Sequence, residues 1–153
     1  MFAAVAAFRS ASSARLAAEQ VTRAEHRSLL RELSSSVQNV LLEVSRAESV
    51  ANQLKIECDT LAAFTGGFGG SAHSEVQETV KTKSALAVPL KRSAEETGRD
   101  YLKLREASIE DLSQALAKID GNLSAARTLR DELNAKLAET VAQNQLHRAK
   151  RIG

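Results

Sequence analysis

The fold class is visible in residues 30–61, LRELSSSVQNVLLEVSRAESVANQLKIECDTL. Small or apolar side chains recur in this stretch at alternating spacings of three and four residues. That spacing is typical of the a and d positions of a coiled coil, and it is sustained here for more than four heptads. The ten positions of this first seam are Leu30, Leu33, Val37, Val40, Val44, Ala47, Ala51, Leu54, Cys58 and Leu61.

A second seam follows the same spacing over residues 109–137. Arg130 is the exception in it, and we expect the neighbouring Leu129 to pack in its place. Both seams are about 45 Å long at 1.5 Å per residue, so the sequence predicts that they pair. The nine positions are Ile109, Leu112, Leu116, Ile119, Leu123, Ala126, Arg130, Leu133 and Leu137.

Further apolar residues flank the first seam and widen it. Leu29, Leu41 and Val50 fall at the neighbouring e and g positions. A helix with a wide apolar stripe buries it against more than one neighbour. We therefore expect the first helix to contact more than one partner helix.

Glycine and proline mark the interruption between the seams. Residues 66–70 hold four of the seven glycines, and each glycine costs about 1 kcal/mol relative to alanine in a helix interior. Pro89 lacks an amide donor and predicts a second break. Ser93 with Glu96 fits a capping box, which predicts a long helix starting near Ala94. Residues 74–88 fit either a short helix or an extended segment.

The sequence thus predicts an all-α fold with two long amphipathic helices. The helices 14–64 and 94–148 form an antiparallel coiled-coil hairpin, interrupted by a Gly-rich connector over 65–93. The alternative is that both helices pair with helices of other subunits, since either arrangement buries the same seams. Residues 1–13 form an N-terminal extension and 149–153 a basic tail.

Composition agrees with long helices. Ala, Leu, Glu, Lys and Arg make up just over half of the 153 residues, and aromatic residues make up only 3%. Long helices and coiled coils have this composition. It argues against a β-sandwich, a barrel or a Rossmann-type fold, whose cores would usually bury more aromatic side chains.

Charge is uneven along the chain. The net charge is +2, but residues 1–31 and 141–153 are basic, while 32–140 is mildly acidic. Both seams also become polar, the first towards Leu16 and the second beyond Leu137. In an antiparallel hairpin these regions meet, which predicts a splayed, basic tip at one end.

The termini and the single cysteine bear on the compartment. The start, MFAAVAAFRSASSARLAA, contains arginine and serine but no acid, as mitochondrial transit peptides do. The alternative is that it is an Ala-rich extension of the first helix. One cysteine, Cys58, makes no internal disulfide and favours a reducing compartment. We expect an intracellular protein, cytoplasmic or mitochondrial.

No pattern of catalytic or ligand-binding residues is evident. The glycine-rich stretch is not followed by Gly-Lys-Ser/Thr, as a phosphate loop would be. His26, His73 and His147 are far apart in sequence, and Cys58 occupies a seam position where a packed small apolar side chain is expected. We expect no enzyme activity, no cofactor, no metal and no small-molecule substrate.

Two functions remain open from the sequence. The first is a structural subunit of a larger hetero-oligomeric assembly, whose partners are other helical proteins or further copies of itself. The second is a nucleic-acid or anionic-membrane binding module that acts through its basic ends. Arg148, Lys150 and Arg151 are the candidate anion-binding residues, although cations are also favourable near any helix C-terminus.

Overall fold

A computed structural model describes the backbone of residues 2–152 and the side chains of residues 14–150. It contains four helices and, within this range, no strand: α1 (Phe2–Thr65), α2 (Ser71–Arg99), α3 (Tyr101–Leu104) and α4 (Ile109–Ile152). The all-α class is confirmed, and so is the packing of the two long helices, α1 and α4, against each other. The predicted extension 1–13 lies outside the described side chains.

Helix α1 ends where the glycine-rich stretch predicts. Gly66 has φ +66° and Gly69 has φ +77°, in the left-handed region that favours glycine. The Gly67 amide donates to the Ala62 carbonyl at 3.0 Å, which is the long-range bond of a Schellman motif. The chain therefore reverses direction within five residues.

Helix α2 returns along α1 in the opposite direction. Near its start, His73 contacts Asp59, and near its end the side chain of Lys91 reaches Glu48. The residue numbers of the contacts fall along α1 as they rise along α2, so these two helices form an antiparallel hairpin. Val76, Ala87 and Ala94 are the α2 residues buried in the core.

The predicted break at Pro89 is wrong, because α2 continues through it. Pro89 and Ala85 both lie on the exposed side of the helix. The carbonyl of Ala85, which loses its amide partner at Pro89, can therefore be hydrated. The buried side chains on the opposite face hold the helix in place on both sides of the proline.

The predicted helix start near Ala94 is also wrong. Ser93 lies inside α2, where its hydroxyl accepts a hydrogen bond from Asn122 at 3.0 Å. The capping box of α4 is instead formed by Ser108 and Asp111. The Ser108 hydroxyl accepts from the Asp111 amide at 3.1 Å and donates to the Asp111 carboxylate at 2.7 Å.

Helices α1 and α4 run parallel, so the predicted antiparallel pairing of 14–64 with 94–148 is wrong. The side chain of His26 contacts the Ala107 carbonyl, Ser36 contacts Asp120, and Glu57 contacts Asn144. Residue numbers rise together on the two helices. The physical reason is that the connector is helical: α2 adds one crossing, which gives an up–down–up three-helix bundle.

The core follows the two seams. Nine of the ten residues in the first seam are buried, and Leu61 is partly buried. In the second seam Ile109, Leu116, Arg130 and Leu137 are partly buried, and the remaining residues, together with Leu129, are buried. The buried seam residues are Leu30, Leu33, Val37, Val40, Val44, Ala47, Ala51, Leu54 and Cys58 in α1, and Leu112, Ile119, Leu123, Ala126 and Leu133 in α4.

The parallel pairing separates the two basic ends. The start of α1 lies beyond the start of α4, whereas Arg148 at the other end of α4 lies against Phe64. The predicted basic, splayed tip is therefore wrong, because the polar ends of the two seams lie at opposite ends of the bundle. Within residues 2–152, none of the helices combines the length and the apolar character that a bilayer crossing requires.

Candidate helix-packing interface

Polar side chains flank the α1–α4 seam at regular intervals. Ser36, Glu43 and Glu57 fall on α1 positions that share one heptad register, and each contacts α4. We call this set of contacts the polar ladder. The Ser36 hydroxyl donates to the Asp120 carboxylate at 2.9 Å. The ladder therefore begins near the start of α4 and continues along its length.

Glu43 forms the central rung. Its side chain is only 9% exposed, and it accepts hydrogen bonds from Arg46 at 2.9 Å and from Arg130. Arg130 is the residue that breaks the apolar pattern of the second seam. Its pKa is raised first by hydrogen bonds to Asp131 and also by the charge of Glu43. The guanidinium therefore stays charged and compensates the buried carboxylate.

Asn144 forms the last rung. It is 2% exposed, and its amide donates to the carbonyl of Glu57 at 3.0 Å and to the carboxylate of Glu57 at 2.7 Å. Its own carbonyl oxygen, Oδ1, is buried without a hydrogen-bond partner in the described part of the chain. A buried asparagine in a helical seam typically fixes register at a cost in stability. The ladder thus favours one register of α4 on α1.

The first part of α1 extends past the bundle. Every residue from 14 to 25 is exposed, and Leu16 and Val21 are 60% and 66% exposed. We call residues 14–25 the arm. Ion pairs of Glu19 with Arg15 and Arg23 link successive turns of the arm at 3.8 Å. Exposed pairs of this kind contribute only a few tenths of a kcal/mol each.

The predicted anion-binding residues lie at the opposite end. The guanidinium of Arg148 sits 5.5 Å from the centre of the Phe64 ring, within the range of a cation–π contact. Lys150 is exposed, and the side chain of Arg151 lies outside the described residues. The basic residues of 15–31 therefore do not add to the positive potential at this end.

An open cleft of about 550 Å³ lies between α1, the start of α2 and the last turns of α4. It brings together Cys58, His73 and His147, which are far apart in the sequence. Burial and the neighbouring charge of Asp59 raise the pKa of the Cys58 thiol above its usual value. Cys58 is thus a protonated, packed thiol rather than an activated nucleophile.

His73 and Lys136, which line the cleft, each contact a carboxylate. His73 contacts the Asp59 carboxylate at 3.0 Å and packs edge-on against Phe68. The pKa of Lys136 is raised, chiefly by its hydrogen bond to Glu139. Among the side chains of residues 14–150, no group of three or more His, Cys, Asp or Glu is arranged to hold a metal ion.

Some of this interface was visible in the sequence and some was not. Arg130 breaks the apolar pattern of the second seam, and this irregularity in the sequence is the signal of its pairing with Glu43. Ser36 and Glu57 gave no such signal, because polar residues at flanking heptad positions are usually solvated. Comparisons with protein-family models, curated proteins and solved structures give no significant match.

Proposed function

We propose that the chain is a non-enzymatic structural subunit of a larger hetero-oligomeric assembly and that it acts by helix–helix packing. The observation that carries this proposal is the arm. It continues a buried helix past the end of its own bundle, with Leu16 and Val21 uncovered. The proposed partner is another helical protein that covers the arm.

The energetics of helices support this proposal. Tertiary packing of an apolar face supplies most helical stability in proteins, so a helical extension with water on every side is only marginally stable. The arm is a 12-residue segment without tertiary cover, and its two ion pairs are weak. Leu16 and Val21 lie about 140° apart around the helix, so a helical partner that packed against both sides of the arm would bury them and supply the missing packing.

Deletion of the arm tests this proposal. The full chain and a variant lacking residues 2–25 are each expressed with an affinity tag in native cells, purified under identical conditions and analysed for partners present in equal molar amounts. We expect a stoichiometric helical partner with the full chain and its loss with the shortened chain. A variant in which only Leu16 and Val21 become Glu controls for general effects of truncation. Equal recovery of the same partner with all three proteins contradicts the proposal.

A second candidate function uses the C-terminal end of α4. Arg148 and Lys150 are exposed there, and Arg151 follows them in sequence. Such a cluster would bind the phosphates of nucleic acid or of an anionic membrane through charge, with affinity that falls as salt rises. We expect replacement of these three residues by Gln to abolish both binding and its salt dependence. Unchanged binding would remove this candidate.

A further inference from the structure

Phe68 is a large apolar residue at the centre of the loop between α1 and α2. Two glycines precede it and two follow it. It is 61% exposed, and its ring makes an edge-on contact with His73, with the two ring centres 5.6 Å apart. Turns of this kind are usually built from glycine and small polar residues. The packing of the bundle therefore leaves most of this aromatic residue in water.

The last turns of α4 lie beside this loop. Helices α1 and α4 are parallel and end on the same side of the bundle. The guanidinium of Arg148 lies 5.5 Å from the centre of the Phe64 ring, which belongs to the last turn of α1. This contact brings the basic residues of α4 to the same end of the bundle as the loop. We call residues 60–74 and 140–150 together the loop end.

The loop end carries positive charge without acidic residues. Neither 60–74 nor 140–153 contains an aspartate or a glutamate, although these acids make up 19 of the 153 residues. Arg148 and Lys150 are exposed, and Arg151 follows them in sequence. The segments that carry these cations therefore supply no carboxylate to neutralise them.

The opposite end of the bundle, around α3, provides a contrast. Arg99 and Lys103 form ion pairs there, with Glu95 at 3.6 Å and with Asp100 at 2.6 Å. Leu102 is 72% exposed beside them. Both ends thus combine an exposed apolar residue with basic residues, but around α3 acidic neighbours compensate the positive charge.

From this juxtaposition we infer that the loop end docks on the surface of an anionic membrane. The Phe68 ring enters the headgroup region, and the cations of α4 face the lipid phosphates. Peripheral binding to a bilayer combines an apolar anchor with attraction to anionic lipids. That attraction acts on basic residues within about 8 Å of the surface. The inference rests on the second candidate function and narrows it to a membrane.

The single exposed ring favours a membrane over a nucleic acid. Among residues 14–150, Phe68 is the one aromatic residue that is more than half exposed. Proteins that bind single strands stack successive bases on several aromatic side chains along a basic groove. One apolar anchor beside a cationic cluster is instead sufficient for reversible attachment to a bilayer.

Co-sedimentation of the full chain with vesicles tests this inference. The vesicles contain phosphatidylcholine with about 30% phosphatidylserine, and phosphatidylcholine alone is the neutral surface. We expect binding to the anionic vesicles that weakens as salt rises. Phe68→Ala should weaken it about tenfold, because the ring leaves water on insertion. Arg148→Gln/Lys150→Gln/Arg151→Gln should weaken it about 100-fold, at about fivefold for each charge.

The opposite end of the bundle supplies matched controls. Leu102→Ala removes an exposed apolar side chain, and Arg99→Gln/Lys103→Gln/Arg105→Gln removes three exposed charges. In the proposed orientation these residues lie more than a Debye length of about 8 Å from the bilayer. Both variants should therefore bind the anionic vesicles within about twofold of the wild-type chain.

Tryptophan fluorescence tests the insertion of the ring. The chain contains no tryptophan, so Phe68→Trp introduces a single reporter. Its emission should shift to shorter wavelength with anionic vesicles and should be quenched by brominated lipid chains, because the indole leaves water for the interface. Leu102→Trp is the matched control and should show neither change.

Three results would overturn the inference. The first is binding to anionic vesicles without any change in the emission of Phe68→Trp, which would leave the charge-based second candidate function intact. The second is binding to nucleic acid but not to anionic vesicles, which would assign that candidate function to nucleic acid. The third is binding to neither, which would remove the candidate function as well. Loss of partner recovery on deletion of the arm, as tested above, would be unaffected by any of these outcomes.

Discussion

Gly66 and Gly121 should respond in opposite directions to the same substitution by alanine. Gly66 ends α1 with φ +66°, and a Cβ added there would meet no atom within 4 Å. The cost of Gly66→Ala is therefore conformational, about 1–2 kcal/mol for an L residue in the left-handed region. The lower entropy of the unfolded chain offsets about 0.4–1 kcal/mol of it. We expect a net destabilisation of about 1 kcal/mol.

Gly121 lies inside α4 on its exposed side, also with open space around an added Cβ. Gly121→Ala should stabilise the protein by about 0.8–1 kcal/mol through helix propensity. Thermal unfolding followed by far-UV circular dichroism, at one fixed protein concentration, measures both changes. The two melting temperatures should move apart by about 4–8 °C in total. A shift of the same sign for both variants would refute the assignment of Gly66 to a left-handed helix end.

The remaining predictions concern the core, the proline and the polar ladder. Leu54→Ala should lower the unfolding free energy by about 3 kcal/mol, because Leu54 is fully buried. Ile56→Ala should lower it by less than about 1 kcal/mol, because Ile56 is 64% exposed. Similar losses for the two variants would contradict the burial pattern. Pro89→Ala should raise the unfolding free energy by about 2 kcal/mol, because alanine restores an amide that can donate to the Ala85 carbonyl. A loss of stability would show that the helix does not run through Pro89. Arg130→Met should lower the urea midpoint more than Arg46→Met does, because of these two arginines only Arg130 links Glu43 to α4. The double variant Glu43→Leu/Arg130→Met should recover most of the loss seen with Arg130→Met, because it leaves no unpaired buried charge. Equal urea midpoints for the two single variants would show that Glu43 does not stabilise the contact between α1 and α4.

The seams were predictable because burial imposes a period on the sequence. Leu33, Val40 and Leu54 fall on a spacing that only a helix places on one side, and they are almost completely buried. The helix end at Gly66 was predictable for a similar reason, since several consecutive glycines strongly disfavour a helix. Both properties are local in the chain.

The direction of the helices was not predictable from the same information. A heptad seam has the same spacing whether its partner runs parallel or antiparallel, so the topology depended on whether the connector was helical. Pro89 and Ser93 both indicated an interruption there, yet each lies inside α2. The ladder contacts of Ser36 and Glu57 were missed as a consequence, because they exist only in the parallel register.

The distance between Ala63 and Gln145 tests the parallel pairing of α1 and α4 most directly. Both residues are exposed and can carry spin labels as cysteines in a Cys58→Ala background, diluted with unlabelled chain to suppress distances between copies. In the up–down–up bundle these positions lie side by side. Double electron–electron resonance should then give a distance of about 20–30 Å between the two spin labels, since packed helix axes are 8–10 Å apart. An antiparallel hairpin would place them near opposite ends, about 75 Å apart at 1.5 Å per residue. A distance of that size would contradict the bundle and, with it, the positions assigned to the arm and the polar ladder.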